Sequence, residues 1–215
     1  MPIEEVTGDL LTAQEQYIVQ QSNCATTYAA GLAAAISSSF PHADVYAPDR
    51  RRERGSEKGD VPGTIAVCGG PCASQDQEKR GVISVFAQFR PGKPNHRKEG
   101  PVEYKGLVSS PDVVDDERQR LEWFKAGLQR IAELPVESIA FPYQIGCGLA
   151  GGRWPSYLEA LEEFAAKVEP QGVKVKIYKM EEAAKPCTDC KQLVAPGTGR
   201  TWRSKQYCKG CYDKY

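Results

Sequence analysis

The segment from Phe141 to Gly152, FPYQIGCGLAGG, constrains this chain most, because an apolar run there gives way to four glycines within seven residues. Glycine at that density either lets the backbone take conformations closed to other residues or lets something approach it closely. Ser138 to Pro142, before the loop, reads as a buried strand. Trp154 to Val168, after it, reads as a helix, with Tyr157, Leu158, Leu161, Phe164 and Ala165 recurring at three and four residues. A glycine loop at that junction lies where a strand's carboxyl end meets a helix's amino end, the usual anion site of an open α/β sheet. We read it as a ligand loop suited to a bound phosphate.

The rest of the chain supplies further strands and helices in alternation. Ile3, Glu5 and Val6 offer a short opening strand stopped by Thr7-Gly8-Asp9, and Tyr17 to Gln21 offers a second. The small apolar stretch Ala29 to Phe40 predicts a helix that ends before Pro41. Asp49 to Asp60, with RRRER and EKGD, is expected to be a solvated helix or loop. Thr64 to Cys68 and Val82 to Phe89 read as adjacent strands. Arg90 to Asp112, with four prolines and three glycines, reads as a long surface loop. A helix is expected from Asp115, through Leu121, Trp123, Phe124, Leu128 and Ile131, with Asp112 or Asp115 as its cap. Val173 to Tyr178 alternates as a last half-exposed strand. Strands and helices in this order predict an α/β fold, a three-layer sandwich with a mixed, largely parallel sheet.

Composition divides the 215 residues unevenly. From Lys185 onward there are seven Lys/Arg against two Asp, a net of +5, so the remainder carries 21 − 26 = −5. No apolar run of membrane length and no basic-then-apolar leader is present, and an intracellular protein, cytoplasmic or nuclear, is expected. The expected organisation is a main domain over 1–180, a charged linker over 181–186, and a small module over 187–215.

That module is defined by its cysteines. Cys187/Cys190 and Cys208/Cys211 form two C-x2-C pairs with seventeen residues between them, the spacing of metal ligands. Four thiolates give a closed tetrahedral zinc site, structural and not catalytic, and a segment with so little apolar content needs the metal to fold. One zinc per chain and no organic cofactor are expected. Arg200, Arg203, Lys205 and Lys209, interleaved with Trp202, Tyr207 and Tyr212, suit contact with nucleic acid or with a partner protein. The other cysteines, Cys24, Cys68, Cys72 and Cys147, are expected to be reduced thiols.

Taken together and in order, five pieces resemble the macrodomains, the ADP-ribose-binding α/β fold. They are VTGDLLT at the start, IVQQSNC after the second strand, AAGLAAAI opening the first helix, FP-x-AD-x-Y beyond it, and IGCGLAGGRW in the glycine loop. The resemblance spans Pro2 to Met180. Among the branches it is nearest to the ADP-ribose 1″-phosphate phosphatase-like and terminal ADP-ribose glycohydrolase proteins, whose glycine loop also reads IGCGL. It implies that Gly8, Asp9 and Leu10 receive the adenine, with Asp9 accepting from its amino group, and that Asn23 holds the distal ribose hydroxyls. Ala30, Gly31 and Leu32 would form one diphosphate loop, and Ile145, Gly146, Cys147, Gly148, Leu149 and Ala150 the other. Tyr178 would stack on the adenine.

The resemblance also marks departures. Protein-directed macrodomain hydrolases commonly carry an Asp where this chain has Ala33. Terminal ADP-ribose hydrolases use a Lys together with an Asp directly after GCGL, where this chain has Ala150, and the strand TIAVC supplies no Lys. Asn23, Asp115 and Asp116 are the remaining candidates for chemistry at the distal ribose, with His96 and Cys147 as further titratable groups. The implied activity is hydrolysis of ADP-ribose 1″-phosphate or of an ADP-ribosyl adduct on protein or nucleic acid. The alternative is a reader that binds ADP-ribose without turnover while the zinc module docks elsewhere.

Overall fold

The structure, a computed structural model, describes residues 3–55, 59–71, 80–94, 113–181, 185–194, 200–202 and 205–214. It contains two compact units, Met1–Lys179 and Met180–Tyr215. The larger runs β1 (Glu4–Thr7), β2 (Tyr17–Asn23), α1 (Leu32–Ser39), α2 (Pro48–Glu53), β3 (Ile65–Cys68), β4 (Gly81–Gln88), α3 (Glu117–Ile131), β5 (Ser138–Pro142), α4 (Trp154–Val168) and β6 (Lys174–Lys179). Six strands form one sheet in the order β1-β6-β5-β2-β4-β3. All neighbours are parallel except β3, which runs antiparallel to β4 at one edge. The parallel strands therefore deliver their carboxyl ends, and the loops that follow, to one side of the sheet.

Alternation along the strands builds two apolar layers. Val19, Ile83, Val85, Ile139, Phe141 and Ile177 face α3 and α4, where they meet Phe124, Leu128, Leu161 and Phe164. Ile18, Val82 and Ala140 face the opposite side, against Leu10, Ile36 and Phe40. Each large side chain fully buried this way contributes about 1.5–3 kcal/mol. Helix α3 also approaches β4 closely at Gly127, where a Cβ would collide with Val85. Helices on both faces of a mostly parallel sheet are the three-layer arrangement expected from the sequence.

Three local expectations are corrected. Helix α1 begins at Leu32 rather than Ala29, because Gly31 precedes it at φ 58°, ψ −130°, which no helix continues. The block from Asp49 to Asp60 is not simply solvated: Arg51 and Asp60 are buried, 3.6 Å apart, and Arg54 approaches Asp60 at 3.1 Å. Arg51 further donates to the carbonyls of Cys24 and Thr26 at 3.2 and 2.5 Å. The cap of α3 is Asp116, which accepts from Gln119 N at 2.7 Å. It is not Asp115, whose carboxylate turns inward, and Asp112 lies outside the described residues.

The smaller unit contains two short antiparallel pairs, β7 (Lys185–Pro186) with β8 (Leu193–Val194) and β9 (Arg200–Trp202) with β10 (Lys205–Tyr207), followed by the single turn α5 (Lys209–Tyr212). Its core is Cys187, Val194, Tyr207 and Cys211. Tyr207 is therefore interior packing and not a surface for stacking on bases.

Candidate ligand cleft and metal centre

The sheet's carboxyl edge gathers most of the residues singled out in the sequence. Gly8 and Asp9 follow β1, Asn23 ends β2, Tyr143 to Gly152 follow β5, and Tyr178 lies one residue before the end of β6. The backbone joins them, since Gly8 N donates to Lys179 O and Tyr143 N to Tyr178 O, at 2.9 and 2.8 Å. A Cβ at Gly8 would rest 3.8 Å from the Tyr178 ring, so the turn after β1 lies against that aromatic face. Burial, with hydrogen bonding to Glu15, holds the Tyr178 hydroxyl neutral above its ordinary range. Asp9 Oδ1 is engaged in capping the turn at Leu10–Thr12, where it accepts from Leu11 N at 2.9 Å.

The two diphosphate-loop candidates face each other. A Cβ at Gly31 would lie 3.4 Å from Leu149 Cδ1, so the turn into α1 and the tip of the glycine loop come together. Leu149 is itself 68% exposed, a large apolar side chain standing at that meeting point. Among the described residues no acceptor is paired with the N–H groups of Gly31, Leu32 and Ala33, or with those of Gly148, Leu149 and Ala150. Unpaired N–H groups at the start of a helix and in a glycine turn favour an anion. The glycine loop is otherwise well tied, through Ile145 N to Pro142 O, Cys147 N to Gln144 O, Gly151 N to Gly148 O and Gly152 N to Gly146 O. Gly146 takes φ 73°, and a Cβ there would collide with Gln21 Oε1 and lie 2.5 Å from the Tyr157 ring.

Asn23 is largely committed to the protein. Its Oδ1 accepts from Ala25 N and Thr26 N at 3.1 and 2.8 Å, and its Nδ2 donates to the Tyr46 hydroxyl at 3.2 Å. Three of an amide's four hydrogen-bonding positions are thus used, which leaves one N–H for a ligand. The Cys147 thiol is half-buried, donates to Ile145 O at 3.3 Å, and is pushed up to about 11 by burial. Burial likewise raises Cys24 and Tyr157, so neither is a ready nucleophile or base at neutral pH.

The two acidic candidates have structural duties. Asp116 caps α3. Asp115 is 3% exposed; its Oδ1 accepts from Arg120 Nε at 2.6 Å, and its Oδ2 from Arg120 Nη2 at 2.7 Å and Arg90 N at 2.8 Å. His96 lies outside the described residues. The sequence did not reveal Arg120 or Arg51, because the backbone carbonyls they bind stand 25 to 30 positions away along the chain.

In the smaller unit the four cysteine sulfurs lie within 4.8 Å of one another. Cys190 Sγ and Cys208 Sγ are 3.7 Å apart. Four thiolates at about 2.3 Å around a tetrahedral zinc stand roughly 3.8 Å from one another, so the set fits that ion. Each pair is shaped by a turn, with Lys191 N donating to Cys187 O and Cys211 N to Cys208 O, both at 3.1 Å. Cys24, Cys68 and Cys147 are free thiols.

No protein-family model matches the sequence, and no curated protein matches it. Solved structures do. The macrodomain of Mycobacterium tuberculosis DarG aligns at TM-score 0.54 and 20% identity, covering 82% of this chain and 96% of that one. The macrodomain of Thermus aquaticus DarG aligns at 0.52 and 24%, covering 82% and 97%. The Trypanosoma brucei macrodomain in complex with ADP-ribose aligns at 0.52 and 16%, covering 84% of this chain and 64% of that one. The larger unit is thus an open α/β sheet with two facing loops whose N–H groups at Gly31 to Ala33 and Gly148 to Ala150 are unpaired among the described residues. Its fold is the macrodomain fold.

Proposed function

We propose that the larger unit binds ADP-ribose derivatives, with the diphosphate between the turn at Gly31 and the loop from Ile145 to Ala150. The observation that carries this reading is the close approach of Gly31 to Leu149 between two sets of N–H groups without acceptors among the described residues. The T. brucei macrodomain of the same fold, solved with ADP-ribose, supports the ligand class. In this reading the adenine rests by Gly8, Asp9, Leu10 and Tyr178, and the free Asn23 N–H meets the distal ribose.

Of the two activities, binding without turnover is the one the geometry favours. A general base needs a carboxylate free to accept a proton from water, and both oxygens of Asp115 are already occupied while Asp116 caps a helix. The hydrolytic reading, removal of a 1″-phosphate or an ADP-ribosyl adduct, rests on the IGCGL loop and would work by positioning substrate and water beside Asn23. We further propose that the smaller unit is ordered by one zinc ion on Cys187, Cys190, Cys208 and Cys211, and that exposed Lys205 and Lys209 meet nucleic acid or a partner protein.

One experiment separates these readings. Calorimetric titration with ADP-ribose is run beside incubation with ADP-ribose 1″-phosphate, ADP-ribosylated protein and ADP-ribosylated DNA. Binding without product is expected. Product from any of the three would establish the hydrolase instead, and absence of both binding and product would sink the ligand assignment.

A further inference from the structure

Arg120 is fully buried on α3, yet every one of its five N–H donors has an acceptor. Two go to Asp115, and the other three go to backbone carbonyls: Arg90 O at 3.1 Å, Gly92 O at 2.6 Å and Ala150 O at 2.9 Å. Ala150 closes the glycine loop. Asp115 completes the knot by accepting from Arg90 N at 2.8 Å. A single guanidinium thereby ties the glycine loop to the segment leaving β4. A second buried arginine, Arg51, paired with Asp60, donates to Cys24 O and Thr26 O in the segment that follows β2.

A buried ion pair is weak grounds for stability, because well-packed apolar side chains of like volume often serve as well. What apolar side chains cannot do is fix three carbonyl oxygens in register. We propose that Arg120, held by Asp115, is a positioning residue that presets the loop from Ile145 to Ala150 for the distal half of an ADP-ribose ligand. Asp115 then serves by orienting Arg120, not by contacting substrate. This inference rests on the binding reading above.

The test is Arg120→Lys in the full chain, compared with Val168→Ala, a buried substitution at the end of α4 that lowers stability without touching the loop. Two readouts are taken: hydrogen exchange of the Cys147, Gly151 and Gly152 amides without ligand, and affinities for ADP-ribose and AMP. A compact ammonium pairs with Asp115 but cannot also span the three carbonyls. In Arg120→Lys the three amides should exchange about tenfold faster relative to those of β4, and ADP-ribose should bind about tenfold more weakly, with AMP changed less than about threefold. Val168→Ala should alter neither the exchange pattern nor the ratio of the two affinities. If Arg120→Lys behaves as Val168→Ala does on both readouts, the inference is overturned. Should Arg120→Lys fail to fold, Asp115→Asn, which keeps shape and removes charge, is scored identically. Failure of the unaltered protein to bind ADP-ribose would sink the binding reading, while the exchange rates would still decide whether Arg120 presets the loop.

Discussion

Gly146 and Gly148 stand two residues apart in the glycine loop, and alanine should affect them in opposite ways. At Gly146 the backbone sits at φ 73°, which costs a residue with a Cβ roughly 1–2 kcal/mol. The new methyl would also press on the Tyr157 ring at 2.5 and 2.9 Å and on Gln21. Tyr157 cannot withdraw, because it is 1% exposed and stacks on Phe124 at 4.8 Å. Overpacking of this kind costs about 1–3 kcal/mol. The sum, about 2–5 kcal/mol, should lower the melting temperature by roughly 4–20 °C in a chain of this size. At Gly148 a Cβ meets nothing within 4 Å and the backbone is outside the left-handed region, so Gly148→Ala should stay within about 0.5 kcal/mol of the unaltered protein. In the proposed binding mode a diphosphate comes close over Gly148, so a methyl there should weaken ADP-ribose about tenfold or more. Calorimetric melting and titration measure both. An unshifted melting temperature for Gly146→Ala would refute the steric argument, and full affinity in a stable Gly148→Ala would remove the ligand from this loop.

Asp116→Ala should lose only the cap of α3, about 1 kcal/mol, with ADP-ribose affinity intact; a large loss of affinity or of any turnover would return Asp116 to the ligand. Cys147 should resist alkylation near pH 8 by about a hundredfold relative to an ordinary thiol, since its thiolate is scarce. Because burial raises this pKa in the folded state, its contribution to stability is complete below about 9, where unfolded thiols ionise, and is lost as pH rises through about 11. A rapid reaction at pH 8 that ADP-ribose does not slow would contradict that environment. Metal analysis should find one zinc per chain, and stripping it with a chelator should unfold the segment after Met180 while ADP-ribose affinity persists. A Cys208→Ser protein that keeps both metal and fold would refute the four-thiolate site.

Where punctuation was local, the sequence disclosed structure to the residue. Strand β5 and helix α4 run over the bounds expected of them, because Ser138, the glycines and Pro155 mark their ends. The four cysteines converge as their spacing foretold. Where the deciding partner was distant, local reading failed. Arg51 and Asp60 looked like solvent-facing charge until carbonyls at 24 and 26 and a second arginine were brought to them. Asp115 looked like a cap or a base because nothing near it in sequence announces Arg120 as a buried fork reaching back to Arg90 and Gly92. The site residues at Gly8, Asn23 and Gly31 came from motif resemblance. Their hydrogen-bond commitments, which decide what Asn23 still has to offer, came only from the folded arrangement.

The strand order has a consequence for how the chain comes to be made. Strand β1, the first strand of the larger unit, pairs among the described residues only with β6, the last of that unit. The sheet therefore cannot close at that end until residues near Lys179 have emerged, and until then β5 presents an unpaired edge built from Ile139, Ala140 and Phe141. Such an edge invites pairing with other chains. That edge stays open until β6 is made, so a stop between α4 and β6 should yield aggregate rather than a smaller soluble domain.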